Sequence, residues 1–164
     1  MLLADFSDPR EAARWRSTDD VVMGGRSSSA MYAGDGSGVF AGEVSLERGG
    51  GFASVRRRDE LVDLSAHEAI ELRVRGDGKR YKLNLRTSDD FDGVVYQAAF
   101  ETEAGTWQTA RLALASFAPR FRGRPVPGTL DLTHVSSLGL LISDRQAGPF
   151  RLELATIRAA AHSR

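Results

Sequence analysis

Apolar residues alternate with polar or small residues along most of this chain. The alternation has a period of two, which places successive side chains on opposite faces of a β-strand. It is found in seven segments, which are 40–46, 70–74, 81–85, 96–100, 110–114, 138–142 and 150–154. Each segment is therefore predicted to be an antiparallel strand that buries one face and exposes the other.

Glycine-containing turns separate these segments. Gly-Asp-Gly occurs at 34–36 and 76–78, and Gly-Gly-Gly occurs at 49–51. Short strands with regular turns are typical of a sandwich or a barrel. Asp8-Pro9-Arg10-Glu11 offers an acidic N-cap followed by proline, so one helix is predicted to run to about Trp15. The predicted fold is a single all-β domain over residues 1–164, an antiparallel β-sandwich with one short N-terminal helix.

A polar face follows from pairing the segments of 70–114 through the turns between them. This pairing predicts four neighbouring strands that share one polar face, and a slip by one residue would move charges into the core. The predicted face contains Glu71, Asn84, Arg86, Gln97, Trp107 and Arg111. One interpretation is an ordinary solvated surface. The other is a ligand groove, because planar amides, guanidinium groups and an exposed tryptophan suit a sugar or a polar peptide.

Charge and composition limit the classes of partner. The 164 residues include 22 basic and 22 acidic side chains, so no global field favours nucleic acid. The absence of cysteine excludes disulfides and thiolate ligands, which fits a reducing compartment. Asp5 follows closely after Met1-Leu2-Leu3, so neither a signal or transit peptide nor a membrane span is predicted. The expected location is the cytoplasm.

Signatures of catalysis or metal binding are weak. The three histidines are scattered and form no zinc-binding pair, and no nucleophile lies at a motif spacing from a base. The segment Ser88–Gly93 resembles the start of a calcium loop, but serine occupies the first ligand position and Ala99 occupies the closing position of glutamate. A solvated turn is the other interpretation of this segment. The chain is therefore predicted to be neither an enzyme nor dependent on a metal or cofactor.

Three loop segments carry more polarity than a turn requires, at 18–27, 117–124 and 143–150. Loops at one end of a sandwich can form a common surface held by rigid strands. We expect at least two of these segments to meet, with Asp144 paired to an arginine of another segment. The residues predicted to bind a partner are Arg26, Ser27, Arg122, Arg124, Asp144, Arg145 and Gln146. The alternative is that the loops only close the ends of the sandwich.

Six motifs in order give the chain a family resemblance. They are DDVVMGGRS (19–27), FAGEVSLERGGGFASVR (40–56), YKLNLRT (81–87), FETEAGTWQ (100–108), FRGR (121–124) and SLGLLISDRQAGPFRLE (137–153). From about Phe6 to Ile157, the chain resembles the complex I intermediate-associated protein 30 family. The positions that match the family pattern are Asp20, Met23, Gly24, Gly25, Arg26, Ser27, Gly50, Gly51, Phe52, Arg86, Trp107, Gly123, Arg124, Asp144, Gln146, Gly148 and Phe150.

The resemblance implies a galactose-binding-like jelly roll, similar to some carbohydrate-binding modules. It also implies a non-enzymatic assembly factor that binds protein partners, with respiratory-complex subunits as candidates, as mitochondrial members act as assembly chaperones for complex I. The sequence lacks a mitochondrial targeting extension and a fused Rossmann domain, so a compact bacterial stand-alone member is expected. The alternative function is a carbohydrate-binding module that uses the polar sheet face.

Overall fold

Two antiparallel sheets form the molecule, and the computed structural model describes residues 1–19, 25–88 and 93–161. The strands are β1 (Leu2–Asp5), β2 (Arg16–Ser17), β3 (Ser28–Ala33), β4 (Gly38–Val44), β5 (Ala53–Val62), β6 (His67–Arg75), β7 (Arg80–Arg86), β8 (Val95–Glu101), β9 (Trp107–Ala113), β10 (Ala118–Phe121), β11 (Arg124–Pro125), β12 (Val135–Ile142) and β13 (Gly148–Ala161). Helix α1 spans Pro9–Ala12, and 3₁₀ turns span Glu47–Gly49 and Leu114–Ser116. The predicted all-β sandwich with one short helix is confirmed.

The two sheets differ in strand order. The six-stranded sheet has the order β3-β4-β13-β6-β9, and β1 also pairs with β13. The seven-stranded sheet has the order β11-β10-β8-β7-β12-β5-β2. Strand β13 lies at the centre of the first sheet and β12 near the centre of the second, so the C-terminal third of the chain contributes to both layers.

The core lies between the sheets and consists of the apolar half of each alternating segment. Phe40, Tyr81 and Phe150 form an aromatic cluster, with ring centroids 5.0 Å apart for Phe40 and Phe150. Fully buried aliphatic side chains surround it, among them Ile70, Leu72, Leu83, Leu85, Leu138, Leu140, Ile142, Leu152 and Leu154. Burial of these side chains is the main force that holds the sheets together.

Helix α1 is a single turn with Asp8 as its N-cap. The Asp8 carboxylate accepts hydrogen bonds from the Arg10 guanidinium (3.0 Å) and from the Arg10 backbone N–H (2.9 Å), and both lower the pKa of Asp8. Glu11 on this turn lies 2.7 Å from the Arg57 guanidinium in a buried ion pair, and it accepts a hydrogen bond from Trp15 Nε1. This polar contact fastens the helix to β5.

The predicted four-strand row is wrong, although one of its three pairs is correct. Asn84 lies opposite Gln97, as expected, whereas Glu71 lies opposite Arg111 and not opposite Asn84. However, β6 and β9 belong to the six-stranded sheet, whereas β7 and β8 belong to the seven-stranded sheet. The predicted ligand face is therefore divided between opposite sides of the sandwich.

The cause of this division is that segments 76–79 and 102–106 cross between the sheets instead of folding back as hairpins. Gly76 forms an isolated bridge with Ala104 and packs against Thr102 so closely that an added Cβ would lie 2.3 Å from Thr102 Cβ. The two crossings thus run side by side. Alternation along a strand does not distinguish such a crossing from a hairpin, because both keep the same residues in the core.

The strand directions define two ends of the sandwich. We call one the Gly148 end, which holds loops 45–52, 76–79, 102–106 and 143–147. The other is the His67 end, which holds loops 63–66 and 126–134 and the tip of the β10–β11 hairpin.

Candidate binding surfaces

The outer face of the six-stranded sheet carries Trp107, Arg111 and Glu71 from the predicted ligand face. Arg75 lies 5.2 Å from the centroid of the Trp107 ring, and its Nη2 atom is 3.0 and 2.8 Å from the two carboxylate oxygens of Glu153. Arg111 lies 2.8 Å from Glu68 and 3.6 Å from Glu71. The charged and aromatic groups of this half are therefore partnered with each other.

The outer face of the seven-stranded sheet carries Asn84, Arg86 and Gln97, which is the other half of the predicted face. Strand β12 lies beside β7, so Gly139 is directly opposite Asn84 on one side and Arg56 on the other. We call this surface, formed by the outward residues of β2, β5, β7, β8, β10 and β12, the seven-stranded outer face. Sequence reasoning missed the contributions of β5 and β12 because it assigned neither strand to this sheet.

A small cavity opens on the seven-stranded outer face at Asn84. Its volume is about 30 Å³, and it is lined by Thr18, Ser54, Val55, Arg56, Asn84, Arg86 and Gly139. Asn84 is 9% exposed, and its Oδ1 atom has no hydrogen-bond partner among the described residues. Ser137, which is 4% exposed, likewise has a buried Oγ atom without a described partner. Buried polar atoms without partners are uncommon in folded proteins and call for a physical reason.

Asp144 pairs with strand β7 rather than with an arginine of another polar loop segment, so that prediction is wrong. Its carboxylate lies 3.1 Å from Lys82 Nζ and 3.8 Å from Arg80 Nε. Asp144 and Arg145 both have positive φ angles, of 62° and 57°. The tight turn that these angles produce directs the carboxylate toward β7, which a linear pattern of residue types does not reveal.

Gln146 uses its side-chain amide to close the same loop. Its Oε1 atom accepts a hydrogen bond from the Arg80 N–H (2.9 Å), and its Nε2 atom donates to the Arg80 carbonyl (2.8 Å) and the Ser143 carbonyl (2.9 Å). Arg145 is exposed at the tip of the turn. The Gln146 amide therefore makes its hydrogen bonds within the protein, whereas Arg145 is exposed to solvent.

The first polar segment reaches the Gly148 end as well. Ser27 is buried, and its hydroxyl accepts a hydrogen bond from the Ser45 N–H (2.9 Å) and donates to the Ser45 carbonyl (3.3 Å). Arg26 is exposed and lies 3.6 Å from the Glu47 carboxylate. Three of the family-matched positions in this segment, Asp20, Met23 and Gly24, lie outside the described residues.

Arg122 and Arg124 lie at the His67 end, opposite the other two segments. They belong to the β10–β11 hairpin, where Arg122 (φ 50°) and Gly123 (φ 78°) form the tip. The Arg122 guanidinium lies 5.4 Å from the Phe121 ring centroid, and Arg124 is exposed. Two of the polar segments therefore lie at one end of the sandwich, and the third lies at the other.

A larger cleft lies at the His67 end. Its volume is about 500 Å³, and it is lined by His67, Glu68, Leu114, Ala115, Phe117, Gly128, Thr129, Leu130 and Leu132. The His67 Nδ1 atom is buried without a hydrogen-bond partner among the described residues. The lining comes from several distant parts of the chain, so no local motif could have indicated this cleft.

Several ionisable groups in the loops are shifted by local contacts. Hydrogen bonds from Thr133 lower the pKa of Asp131, and hydrogen bonds from Ser65 lower that of Asp63. Burial raises the pKa of the Tyr81 hydroxyl, and the nearby Asp77 carboxylate, 3.0 Å away, raises it further. Asp77 also accepts a hydrogen bond from the Arg151 N–H (2.8 Å), so it links Tyr81 of β7 to β13 in the opposite sheet.

Within residues 1–19, 25–88 and 93–161, no group of three or more His, Asp or Glu side chains could hold a metal ion. The Ser88–Gly93 loop includes residues 89–92, which lie outside that set, so its cation-binding interpretation stays untested. No described helix is both long and apolar enough to span a bilayer.

The fold places this chain among galactose-binding-like β-sandwiches. The family 11 carbohydrate-binding module of a Clostridium thermocellum cellulosomal cellulase superposes with a TM-score of 0.73 and 18% identity, covering 99% of this chain and 94% of the module. A family 29 carbohydrate-binding module superposes with a TM-score of 0.57 and 7% identity, covering 98% of this chain and 91% of the module. At these identities, the likeness establishes the fold alone.

The chain belongs to the complex I intermediate-associated protein 30 family, whose family model matches residues 4–154. Relatives named as mitochondrial complex I intermediate-associated protein 30 include one from Mus musculus, 30% identical over 91% of this chain and 52% of the relative. Another, from Drosophila melanogaster, is 27% identical over 92% of this chain and 59% of the relative. The chain spans about half the length of the curated relatives it matches.

The expected cytoplasmic location is contradicted by these comparisons. The fly, mouse and nematode relatives are each named as mitochondrial proteins. Balanced charge and the absence of cysteine describe the composition of the domain and do not fix the compartment in which it functions.

Proposed function

We propose that this chain is a non-catalytic protein-binding module that associates with an assembly intermediate of a respiratory complex. The observation that carries the proposal is the family match over residues 4–154, together with relatives named for association with a complex I intermediate. The molecule suits this role physically, because its two packed sheets hold in fixed positions the exposed polar loops and an outer face with buried polar atoms that lack a described hydrogen-bond partner.

The experiment is deletion of the gene in the organism that encodes this chain, followed by native gel electrophoresis of its respiratory complexes. We expect less mature complex I and accumulation of a smaller intermediate that co-purifies with the tagged chain. Re-expression of the wild-type chain should restore the mature complex. Unchanged complex I levels and no co-purified complex I subunit would contradict the proposal.

The polar loops remain a proposed contact surface, now reduced to their exposed arginines. Arg26 and Arg145 are exposed at the Gly148 end, and Arg122 and Arg124 are exposed at the His67 end. The polar groups of Ser27 and Gln146 already bond to the backbone. If a loop binds the partner, either Arg145→Ala or Arg124→Ala should weaken co-purification while the melting temperature changes little. Full capture by both variants would contradict a role for these loops.

Carbohydrate binding is the second candidate, and the unpartnered Asn84 amide favours it, because a sugar hydroxyl can both donate and accept. Outward strand positions described on the seven-stranded outer face bear no aromatic side chain on which a sugar ring could stack. Titration with a β-1,3-1,4-mixed-linked tetrasaccharide, the ligand named for a family 11 module, tests this candidate directly. Resonance shifts at Asn84 would support it, and no shift at millimolar sugar would exclude that ligand.

A further inference from the structure

The side-chain amide of Asn84 is buried without a described hydrogen bond. Among the described residues, neither its Oδ1 atom nor its Nδ2 atom has a hydrogen-bond partner. An amide can accept at oxygen and donate twice at nitrogen, so this side chain offers both functions at one place. Exchange of the two atoms by rotation of the amide would still leave a buried polar atom unpaired.

The cavity beside this amide exists because the residue opposite Asn84 is a glycine. Gly139, directly opposite Asn84, contributes no side chain, and an added Cβ would lie 3.3 Å from the Val55 carbonyl and 3.4 Å from Asn84 Cβ. The remaining cavity of about 30 Å³ has the volume of one or two water-sized groups. Ser137, two residues along β12, also has a buried Oγ atom without a partner among the described residues, but it does not line this cavity. The cavity opens beside Asn84, so a polar group of a ligand can approach the amide there.

The molecule already shows what such an amide can bind. At the Gly148 end, the Gln146 amide accepts from the N–H and donates to the C=O of the same residue, Arg80, at 2.9 and 2.8 Å. A residue in an extended strand presents its N–H and C=O on the same side, which matches the two functions of a primary amide. Asn84 carries the same group without such a partner, so an extended polypeptide is a chemically matched ligand.

The charge of the surroundings indicates which polypeptide fits. The described outward side chains of this face are mainly basic, with one acidic residue, Glu101, opposite Arg80. The basic residues are Arg16, Arg56, Arg58, Arg80, Lys82, Arg86 and Arg120. Several of these groups already have partners within the chain, such as the Gly93 carbonyl at Arg86 and the Asp144 carboxylate at Lys82. These basic groups make the local electrostatic potential positive, which favours binding of an acidic segment and disfavours binding of a basic one.

We propose that the seven-stranded outer face binds an extended acidic polypeptide, one residue of which pairs its backbone N–H and C=O with the Asn84 amide. This inference rests on the proposed protein-binding function and specifies the surface and the chemistry of the partner. The absence of aromatic side chains at the described outward strand positions of this face favours a peptide over a sugar ring.

The test is a titration of the isotope-labelled chain with two short synthetic peptides, followed by nuclear magnetic resonance. One is acetyl-Glu-Val-Glu-Val-Glu-amide, and the other is acetyl-Lys-Val-Lys-Val-Lys-amide. We expect the acidic peptide to shift the Asn84 side-chain amide and neighbouring β7 and β12 signals, with weaker binding at higher salt. The lysine peptide should bind about tenfold more weakly or not at all, because the basic side chains of the face repel it.

Two variants and one control make the test specific. Asn84→Ala removes both proposed hydrogen bonds and should weaken the acidic peptide about tenfold, because each such bond corresponds to roughly 2- to 10-fold in affinity. Gly139→Ala fills the cavity with a methyl group and should have a similar effect while Asn84 is retained. Arg73→Ala removes a basic side chain from the outer face of the other sheet and should leave binding unchanged.

Each outcome has one meaning. Binding that is equal for both peptides, or unchanged in Asn84→Ala and Gly139→Ala, overturns the inference. Shifts at Asn84 with the mixed-linked tetrasaccharide but not with the acidic peptide also overturn it and assign the face to carbohydrate. A positive titration with normal complex I after gene deletion rejects the respiratory role alone. A negative titration with an assembly defect rejects only this surface.

Discussion

Asn84 and Gln146 carry the same amide group in two different environments. Gln146 makes three hydrogen bonds to backbone atoms of Arg80 and Ser143, whereas the buried oxygen of Asn84 makes none among the described residues. The free energy of leaving a buried polar group unsatisfied is about 1–3 kcal/mol. At the scale of single residues, Gln146 is therefore a structural amide, and Asn84 is the amide that we propose binds a ligand.

Leu83 tests the assignment of the inner and outer faces at the same scale. It is fully buried next to Asn84 in sequence, so Leu83→Ala should reduce the free energy of unfolding by about 2–5 kcal/mol. Urea unfolding at neutral pH measures this loss. Leu61→Ala is the matched control, since Leu61 is 62% exposed and its change should stay within about 0.5 kcal/mol. A loss below about 1 kcal/mol for Leu83→Ala would show that this residue is not in the core.

The pair of β7 and β8 was more predictable than the sheets. Its register follows from alternation and from the turn between the two strands, because a slip by one residue would exchange the inward and outward side chains. The pairing of β6 with β9 was not predicted, since β6 was expected beside β7 and β9 beside β8. The sheet to which each pair belongs depends on whether segments 76–79 and 102–106 turn or cross. The crossing of these segments involves the contact of Gly76 with Thr102, and these two residues are distant in sequence.

The candidate site was predictable only in part for the same reason. Asn84, Arg86 and Gln97 were correctly grouped because they lie on a directly paired hairpin. Gly139 and Arg56 reach the site from β12 and β5, and Ser137 is a neighbour along β12. Their adjacency arises from long-range pairing, on which local sequence patterns carry no information.

The loop between β12 and β13 provides a prediction at the scale of elements. Gln146→Ala removes the clamp between this loop and β7, so it should lower the free energy of unfolding by about 1–3 kcal/mol. Arg145→Ala changes the exposed neighbour and should alter stability by less than about 0.5 kcal/mol. Urea unfolding of both variants makes the comparison. Equal stability of the two would assign no structural role to the Gln146 amide.

At the scale of the whole molecule, the two outer faces differ in how their described polar groups are paired. The six-stranded sheet covers its outer face with internal pairs such as Arg75 with Glu153 and Arg111 with Glu68. The seven-stranded outer face has internal pairs too, such as Lys82 with Asp144, but its Asn84 Oδ1 and Ser137 Oγ atoms have no partner among the described residues. This difference is a basis for proposing the seven-stranded outer face as the binding side.

Acid stability is a property of the whole molecule that depends on its exposed carboxylates. The pKa values of Asp8, Asp63 and Asp131 are lowered in the folded state, chiefly by local hydrogen bonds. The unfolded chain therefore binds protons more readily, so stability is full above about pH 5 and falls as the pH drops through the folded pKa values.

Urea unfolding at a series of pH values measures this dependence. We expect a plateau near neutrality and a decline below about pH 5, which Asp131→Ala should make shallower at the expense of stability near neutral pH. The effect should be modest because these carboxylates are exposed to solvent. Stability that rises as the pH falls from about 5 to 3 would contradict the direction of these shifts.

The most direct measurement is the affinity for the acidic peptide and the melting temperature of Asn84→Ala, compared with the wild-type chain in the same buffer. Loss of an unsatisfied buried amide should leave the melting temperature unchanged or raise it by about 2–4 °C, while peptide binding falls about tenfold. A lower melting temperature with unchanged binding would mean that Asn84 serves the fold and that the seven-stranded outer face is not a binding surface.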